Sequence, residues 1–206
     1  MARLCALAAK SGKALGAHPG YPDRANFGRL ELQLSPVEIE TTVAAQLHSL
    51  AAHARCAGTR LTHVKPHGAL YHAAMRRRDV AEAIARAAAP FTPIRLIGLA
   101  GAPALTWWQS MGYPTAAEAF ADRRYLADGS LVPRTDPLAL IEHPDMAAAQ
   151  ALRIARREGV LADDGALVPI AADTICIHSD TPGALDSART IVRRCRDNGI
   201  TIAPPR

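Results

Sequence analysis

The strongest constraint on the fold of this chain is a repeated alternation of short apolar runs with longer stretches of helical spacing. The apolar runs are bounded by polar or turn residues and predict strands at 13–19, 60–65, 93–101, 113–123, 173–180 and 199–204. The helical stretches begin at Ser35, at Asp79, near residue 102, at Pro144 and at Thr181. Strands that alternate with helices form a mainly parallel sheet covered by helices, so the sequence predicts the α/β class.

The start of one helix can be read directly from the sequence. Ser35 and Glu38 match a capping box, in which each side chain bonds the backbone N–H of the other residue. Pro36 occupies the first helical position, where its missing N–H would have had no partner. The pattern therefore predicts a helix that begins after Ser35 and ends near Gly58.

Length and composition are those of one ordinary globular domain spanning residues 1–206. Hydrophobic residues make up 49% of the chain and charged residues 21%, which is enough material for a core. No apolar run reaches the roughly 18–20 residues that a membrane-spanning helix needs. The first residues do not resemble a secretory signal. We therefore expect a cytoplasmic protein without a membrane partner.

The positive charge of the chain is spread rather than concentrated. The formal net charge is +5, and all but three of the 24 basic residues are Arg, the exceptions being Lys10, Lys13 and Lys65. The densest basic stretches, 75–79 and 191–199, fall on predicted helices and contain no aromatic residue. Proteins that bind single-stranded nucleic acids usually have aromatic side chains between their basic groups. We expect solvated helix faces and no nucleic-acid partner, with a phosphate-binding patch as the less favoured alternative.

Several standard catalytic and nucleotide-binding motifs are missing from the sequence. The four cysteines form no C-x-x-C pair, which argues against zinc-ribbon and thioredoxin-like sites. The segment AAKSGKA lacks the first Gly and the final Ser or Thr of a P-loop, and GLAGAP does not match G-x-G-x-x-G. Neither a G-x-S-x-G elbow nor an H-E-x-x-H helix occurs. The sequence therefore offers no nucleotide site of a standard kind.

Polar side chains follow four of the predicted strands at the point where each strand ends. They are His18, Lys65 with His67, Asp122 with Arg123, and His178 with Asp180. The segment THVKPHGALYH, residues 62–72, holds three His and one of the three Lys, and we interpret it as a strand end and its loop. The carboxyl ends of parallel strands meet at one edge of a sheet, where ligands bind. The sequence therefore predicts one ligand-binding edge.

These polar residues lie in four longer motifs. The motifs are GAHPGYPDRANFGR at 16–29, HVKPHGALYH at 63–72, EAFADRRYLADGSLVPR at 118–134 and TICIHSD at 174–180. On these residues the chain resembles the LamB/YcsF family, which contains the A subunit of bacterial ATP-dependent 5-oxoprolinase. The resemblance implies a (β/α) barrel-like fold of the glycoside hydrolase/deacetylase type. It also implies opening of the 5-oxo-L-proline lactam to L-glutamate, with ATP as co-substrate and the B and C subunits as partners.

The chain also departs from the pattern of the family it resembles. Members of that family begin with an acidic D-x-N-x-D-x-G-E segment and a G-x-H-A-G-D segment, and this sequence contains neither. Met1 aligns within what should be the helix after the second strand. We therefore expect the first strand segments of the barrel to be missing, together with an Asp and a His. Ser179 also stands where the family usually has Gly.

A lactam is an unreactive amide, so phosphorylation of its oxygen would activate the ring carbon for attack by water. Anion contacts suit Lys and Arg, and the candidates are Lys65, Arg123, Arg24 and Arg134. The base candidates are His67, His18 and His178, because imidazole titrates near neutrality. Asp122 or Asp180 would orient the basic His. A divalent metal, if one is bound, would have His18, His67 and His178 as its ligands.

Two other functions fit the same sequence. The fold relationship favours a metal-dependent amide or acetyl hydrolase, whose activity would need no ATP and would be lost on chelation. The second alternative is a non-catalytic truncated remnant. A barrel without its first strands leaves an open sheet edge, which would pair with a second copy as a homo-oligomer or with a different partner protein.

Overall fold

Strands and helices alternate along the chain in the computed structural model, which describes residues 1–204. The chain divides into two compact units, one ending at Ala116 and the other beginning at Ala117. The first unit contains α1 (Ala2–Ser11), β1 (Leu15–Ala17), α2 (Pro36–Cys56), β2 (Leu61–Val64), α3 (Gly68–Arg76), α4 (Arg78–Ala88), a 3-10 turn (Ala89–Phe91), β3 (Arg95–Leu99) and α5 (Pro103–Ser110). The boundary between the units falls within β4 (Thr115–Phe120). The second unit then contains α6 (Pro144–Ala155), β5 (Val160–Leu161), β6 (Leu167–Val168), β7 (Thr174–Cys176) and α7 (Ala184–Asp197).

In the first unit, the strands β1, β2 and β3 are parallel neighbours in that order. Their register places Gly16 opposite His63 and His63 opposite Arg95. Residues opposite each other on parallel strands point to the same face of the sheet. The row therefore places the imidazole of His63 and the guanidinium of Arg95 on one face, with no side chain at Gly16.

The helical layer of the first unit is built largely from alanine. Helix α4 packs against both α2 and α5, and Ala81, Ala85 and Ala88 of α4 are fully buried. Small side chains let these helices approach closely, and the large indole of Trp108 fills the space beside α4. The indole N–H of Trp108 donates to the carbonyl oxygen of Ala81 at 2.8 Å, so its one polar atom is satisfied within the core.

In the second unit, β4 and β7 are parallel neighbours, and α6 packs against α7. The backbone N–H of Ala121 continues the pairing beyond β4 by donating to the carbonyl oxygen of Cys176 at 3.0 Å. Strands β5 and β6 form a separate antiparallel hairpin. The fully or nearly buried residues between the helices and the strands are Ala121, Ile141, Ala147, Ala148, Ala151, Ile191 and Cys195.

The prediction of strand and helix alternation is confirmed, although three local predictions are wrong. Residues 199–204 form no strand, because the N–H of Ile200 donates to Cys195 at 2.8 Å and closes the end of α7. Helix α7 begins at Ala184 rather than at Thr181, because Gly183 has a left-handed backbone, with φ of 72°, that a helix cannot contain. Helix α3 begins at Gly68 and so occupies residues 68–72 of the segment 62–72, which we predicted as a strand end and its loop.

The single domain spanning 1–206 stays a prediction, and its last two residues lie outside the part of the chain that the structure describes. Each unit has its own strands, helices and buried residues.

The predicted capping box at the start of α2 is confirmed. The N–H of Ser35 donates to the carboxylate of Glu38 at 2.8 Å, and the Ser35 hydroxyl accepts from the N–H of Glu38. Ser35→Ala is expected to lower the free energy of unfolding by about 1 kcal/mol, since an N-terminal N–H of the helix loses its partner. Urea unfolding followed by circular dichroism measures the change.

Ser110→Ala is a suitable control for this prediction. The hydroxyl of Ser110 donates to the carbonyl oxygen of Trp107 in the last turn of α5, where no N–H depends on it. The control should change the free energy of unfolding by less than about 0.5 kcal/mol. Equal losses in the two variants would contradict a capping role for Ser35.

Candidate active site

His18 and His67 form a hydrogen-bonded chain in the first unit. The Nδ1 atom of His18 lies 2.7 Å from the carbonyl oxygen of Lys65, and its Nε2 lies 3.0 Å from Nδ1 of His67. The Nε2 atom of His67 lies 2.7 Å from the carbonyl oxygen of Phe27. His18 follows β1 and His67 precedes α3, so the parallel pairing of β1 with β2 brings the two rings together.

The partners of the two rings show how many protons the His18–His67 pair needs for all its hydrogen bonds to form. Carbonyl oxygens only accept, so Nδ1 of His18 and Nε2 of His67 must each donate an N–H. The bond between the rings needs one further proton. Two neutral imidazoles carry one ring proton each, so the pair satisfies all its bonds only with one additional proton and one positive charge. In this arrangement the pair can donate a proton or attract an anion, and it has no lone pair with which to act as a base.

These contacts also bear on the metal ligands predicted from the sequence. Each ring nitrogen of His18 and His67 already faces a protein partner, so neither ring presents a lone pair to a cation. Across residues 1–204, no group of three His, Cys, Asp or Glu side chains is arranged to hold a metal ion. The described residues therefore do not fit a divalent metal, and ligation by His18, His67 and His178 stays a prediction that no contact supports.

Two of the predicted anion ligands lie in the same unit. The backbone of Lys65 is fixed directly after β2, since its N–H donates to Ala17 at 3.0 Å and its carbonyl oxygen faces His18. Arg24 is exposed on the loop that joins β1 to α2. The structure thus places Lys65 beside the histidine pair, whereas Arg24 lies on a solvated loop.

The loop between β1 and α2 is held against the start of α3 by backbone contacts. The N–H of Ala69 donates to the carbonyl oxygen of Gly28 at 3.0 Å, and the N–H of His67 donates to Pro19 at 2.8 Å. Gly68 has a left-handed backbone with φ of 56°, and a Cβ atom there would lie 2.5 Å from the Gly28 oxygen. This close approach positions the neighbouring carbonyl of Phe27 to accept from His67.

Gly68→Ala is therefore expected to destabilise the first unit and to loosen the histidine pair. The left-handed backbone alone costs an Ala roughly 1–2 kcal/mol, and the collision with Gly28 adds to that cost. Gly58→Ala is the matched control, because Gly58 has φ of 70° but nothing within 4 Å of its Cβ position. Urea unfolding of both variants measures the difference, and equal losses would contradict the packing role.

Asp122 and His178 form a hydrogen-bonded pair in the second unit. The Nδ1 atom of His178 lies 3.0 Å and 3.1 Å from the two carboxylate oxygens of Asp122. The backbone N–H of His178 also donates to Asp122, at 2.7 Å. Asp122 follows β4 and His178 follows β7, so the pairing of these parallel strands places the carboxylate against the ring.

The environment of this pair selects its charge and tautomer. Burial by itself would raise the pKa of Asp122, but the hydrogen bonds and charge of His178 outweigh it and hold the pKa below its usual value. An ionised carboxylate only accepts, so Nδ1 of His178 carries a proton, and in the neutral ring the lone pair is on Nε2. The ring of His178 also stacks on Phe120 with centroids 5.4 Å apart, which fixes its plane. Asp122 is 1% exposed and the His178 side chain 22%, so the ring faces outward from a buried carboxylate.

Arg123 makes contacts of a different kind from those predicted. Its guanidinium is buried and donates to the carbonyl oxygens of Val132 and Ala139, at 2.5 Å and 3.4 Å. These contacts favour a role in holding the segment after β4, and the anion contact of Arg123 stays a prediction. The other two predicted residues of this unit are Arg134, which is partly buried, and Asp180, which is exposed.

Sequence reasoning missed Gln150, which supports the second pair. Gln150 lies on α6 and is buried, and its amide donates to the carbonyl oxygens of Phe120 and Arg123, each at 2.8 Å. These bonds fix the turn that carries Asp122. A polar residue on the apolar face of a predicted helix, between Ala147 and Ala151, was the signal that could have identified it.

The comparisons with known proteins agree with the motifs quoted above. The model of the LamB/YcsF family matches residues 1–206. The chain belongs to the LamB/YcsF family. It is 50% identical over 196 residues to the 5-oxoprolinase A subunit of Chloroflexus aggregans, covering 95% of this chain and 78% of that protein. It is 47% identical over 204 residues to the 5-oxoprolinase A subunit of Methylococcus capsulatus, covering 98% and 78%.

A solved structure of a family relative confirms the predicted (β/α) barrel-like fold class. The crystal structure of the lactam utilization protein from Thermus thermophilus matches with a TM-score of 0.90 at 40% identity. The match covers 98% of this chain and 81% of the solved chain. Within residues 1–204, moreover, no helix combines the length and apolar character that crossing a bilayer requires.

Proposed function

We propose that this LamB/YcsF protein is the A subunit of an ATP-dependent 5-oxoprolinase. In this function it hydrolyses 5-oxo-L-proline to L-glutamate in the cytoplasm, together with the B and C subunits and with ATP as co-substrate. The proposal is supported by relatives named as the A subunit of 5-oxoprolinase at 47–50% identity. It is also supported by a structural relative named for lactam utilization.

The observation that carries the proposal is the Asp122–His178 pair. Because Asp122 accepts the Nδ1 proton, the Nε2 lone pair of His178 is available as a general base. The lone pair would take a proton from water while the water oxygen bonds the ring carbon of the phosphorylated lactam. Collapse of that adduct would break the bond to the ring nitrogen, which leaves with a proton and opens the ring. A second water would then release phosphate from the resulting γ-glutamyl phosphate and give L-glutamate. The Asp122 carboxylate would stabilise the imidazolium formed in the first step.

Within the first unit, a group of positive side chains would suit an anion. The His18–His67 pair carries one positive charge when all its bonds are made, and Lys65 follows the same strand end. A compact ammonium and an imidazolium suit a carboxylate or a phosphate group. This role differs from the basic role that the sequence suggested for His18 and His67, and it leaves His178 as the favoured base.

Reconstitution tests the proposal directly. The purified chain is mixed with the B and C subunits from one of the relatives' organisms, and release of L-glutamate from 5-oxo-L-proline is measured with and without ATP. Glutamate release that requires ATP and this chain supports the function. Hydrolysis without ATP would favour an amide hydrolase instead, and absence of glutamate under conditions where the relative's own A subunit is active would overturn the proposal.

A further inference from the structure

His63 is an imidazole of the first unit to which the sequence assigned no role. It lies on β2, and its ring covers the backbone of Gly16 on the neighbouring strand β1. A Cβ atom at Gly16 would lie 1.9 Å from Nε2 of His63, so no residue other than Gly leaves room for the ring in this position. The sheet therefore contains a recess at Gly16 that the His63 ring fills.

One hydroxyl group determines the tautomer of His63. The hydroxyl of Thr62 has a single proton, and Oγ1 lies 3.1 Å from the carbonyl oxygen of Leu15, which can only accept. The same Oγ1 lies 2.9 Å from Nδ1 of His63, and both contacts are hydrogen bonds only when Oγ1 accepts there from an N–H at Nδ1. The Nε2 atom consequently has a lone pair, and the ring is only partly buried.

Two positive groups lie near that ring. Arg95 is opposite His63 on β3, and Lys65 follows His63 by two residues, directly after β2. Burial, with the charges of Lys65 and Arg95 in addition, lowers the pKa of His63. At neutral pH this side chain is therefore a neutral acceptor between two cations, which is the reverse of the donating pair formed by His18 and His67.

An acceptor flanked by cations matches a ligand that has an N–H donor close to a negative group. We propose that His63 positions the substrate by accepting a hydrogen bond at Nε2 from a lactam ring N–H, while the Lys65 and Arg95 charges favour its carboxylate. This inference rests on the proposed function and extends it to specificity, since an oxygen heterocycle of the same shape has no N–H to donate. A site that pairs a substrate N–H rejects analogues that lack it.

The test compares 5-oxo-L-proline with its lactone counterpart, 5-oxotetrahydrofuran-2-carboxylate, in the reconstituted enzyme. KM for the lactam and the inhibition constant of the lactone are measured for the unaltered chain and for variants. The unaltered enzyme should prefer the lactam by about tenfold or more, as expected for one unpaired buried acceptor. In His63→Asn the amide can still bond Thr62 but does not reach the Nε2 position, so the preference should fall close to one.

Two further variants separate positioning from a merely structural role. In His63→Gln the amide oxygen can occupy the Nε2 position, so part of the lactam preference should return. Thr62→Val keeps the shape of residue 62 but removes the hydroxyl that determines the tautomer, so the preference should fall while circular dichroism stays unchanged. KM should change more than kcat in each case.

The outcomes distinguish this inference from the proposed function. If the unaltered enzyme does not hydrolyse 5-oxo-L-proline, the proposed function itself is contradicted. An enzyme that hydrolyses it but binds lactam and lactone equally well overturns only the role of His63. Folded His63→Asn and Thr62→Val variants that keep the full lactam preference would overturn that role as well.

Discussion

Asp122→Asn is expected to lower kcat of the reconstituted enzyme by about 10²–10⁴-fold, with a much smaller effect on KM. Asn has nearly the volume of Asp, so packing around this buried position should be kept. Its amide, however, is neutral and offers an N–H where the carboxylate accepted one from Nδ1. His178 would then lose the partner that holds the proton on Nδ1 and that stabilises the imidazolium.

One further measurement and one control variant accompany kcat. The ¹⁵N chemical shifts of the His178 ring should report a proton on Nδ1 in the unaltered chain and a change of tautomer in Asp122→Asn. Asp164→Asn is the matched control, because Asp164 is exposed in the β5–β6 turn and accepts from the Ala166 N–H, a bond that Asn can also make. If Asp122→Asn has the same kcat as this control, the role of His178 as a general base oriented by Asp122 would be contradicted.

Trp108→Ala is expected to lower the free energy of unfolding by about 3–5 kcal/mol. Trp108 is fully buried beside α4, and its removal leaves a cavity among alanines that are too small to fill it. The carbonyl oxygen of Ala81 would also lose the indole N–H that it accepts at 2.8 Å. Urea or thermal unfolding followed by circular dichroism measures the change.

The neighbouring residue provides a control of equal size. Trp107 belongs to the same helix but is only partly buried, so Trp107→Ala should cost clearly less. Trp108→Phe keeps most of the ring and loses the hydrogen bond, and its loss should lie between those of the two Ala variants. A Trp108→Ala variant as stable as Trp107→Ala would show that the alanine layer closes around the missing ring.

Much of the fold could be predicted because its signals are local. The apolar runs and the capping box at Ser35 depend on residues a few positions apart, and both are confirmed. The strand expected at 199–204 failed because its backbone N–H groups close helix α7 instead. Local apolarity could not show that competition, since it depends on which carbonyl oxygens the preceding helix leaves unpaired.

The candidate site was predictable by residue type and only partly by role. The strand-end rule identified His18, His67, Asp122 and His178, and the structure pairs them as His18 with His67 and Asp122 with His178. The sequence treated all three histidines as equivalent bases. Hydrogen-bond partners distinguish them, because carbonyl oxygens require N–H donors of the first pair whereas a carboxylate leaves Nε2 of His178 free to accept a proton.

The α/β class, the family and the strand ends at which polar groups gather could all be established from the sequence, because periodicity and motifs are properties of neighbouring residues. The nitrogen of each imidazole that donates is set by the contacts that the folded chain makes. That choice depends on acceptors from distant segments, such as the carbonyl of Phe27 for His67 and the carbonyl of Leu15, which orients the Thr62 hydroxyl beside His63. Loop packing and strand register bring these groups within about 3 Å of their partners, and hydrogen bonds act only over such distances.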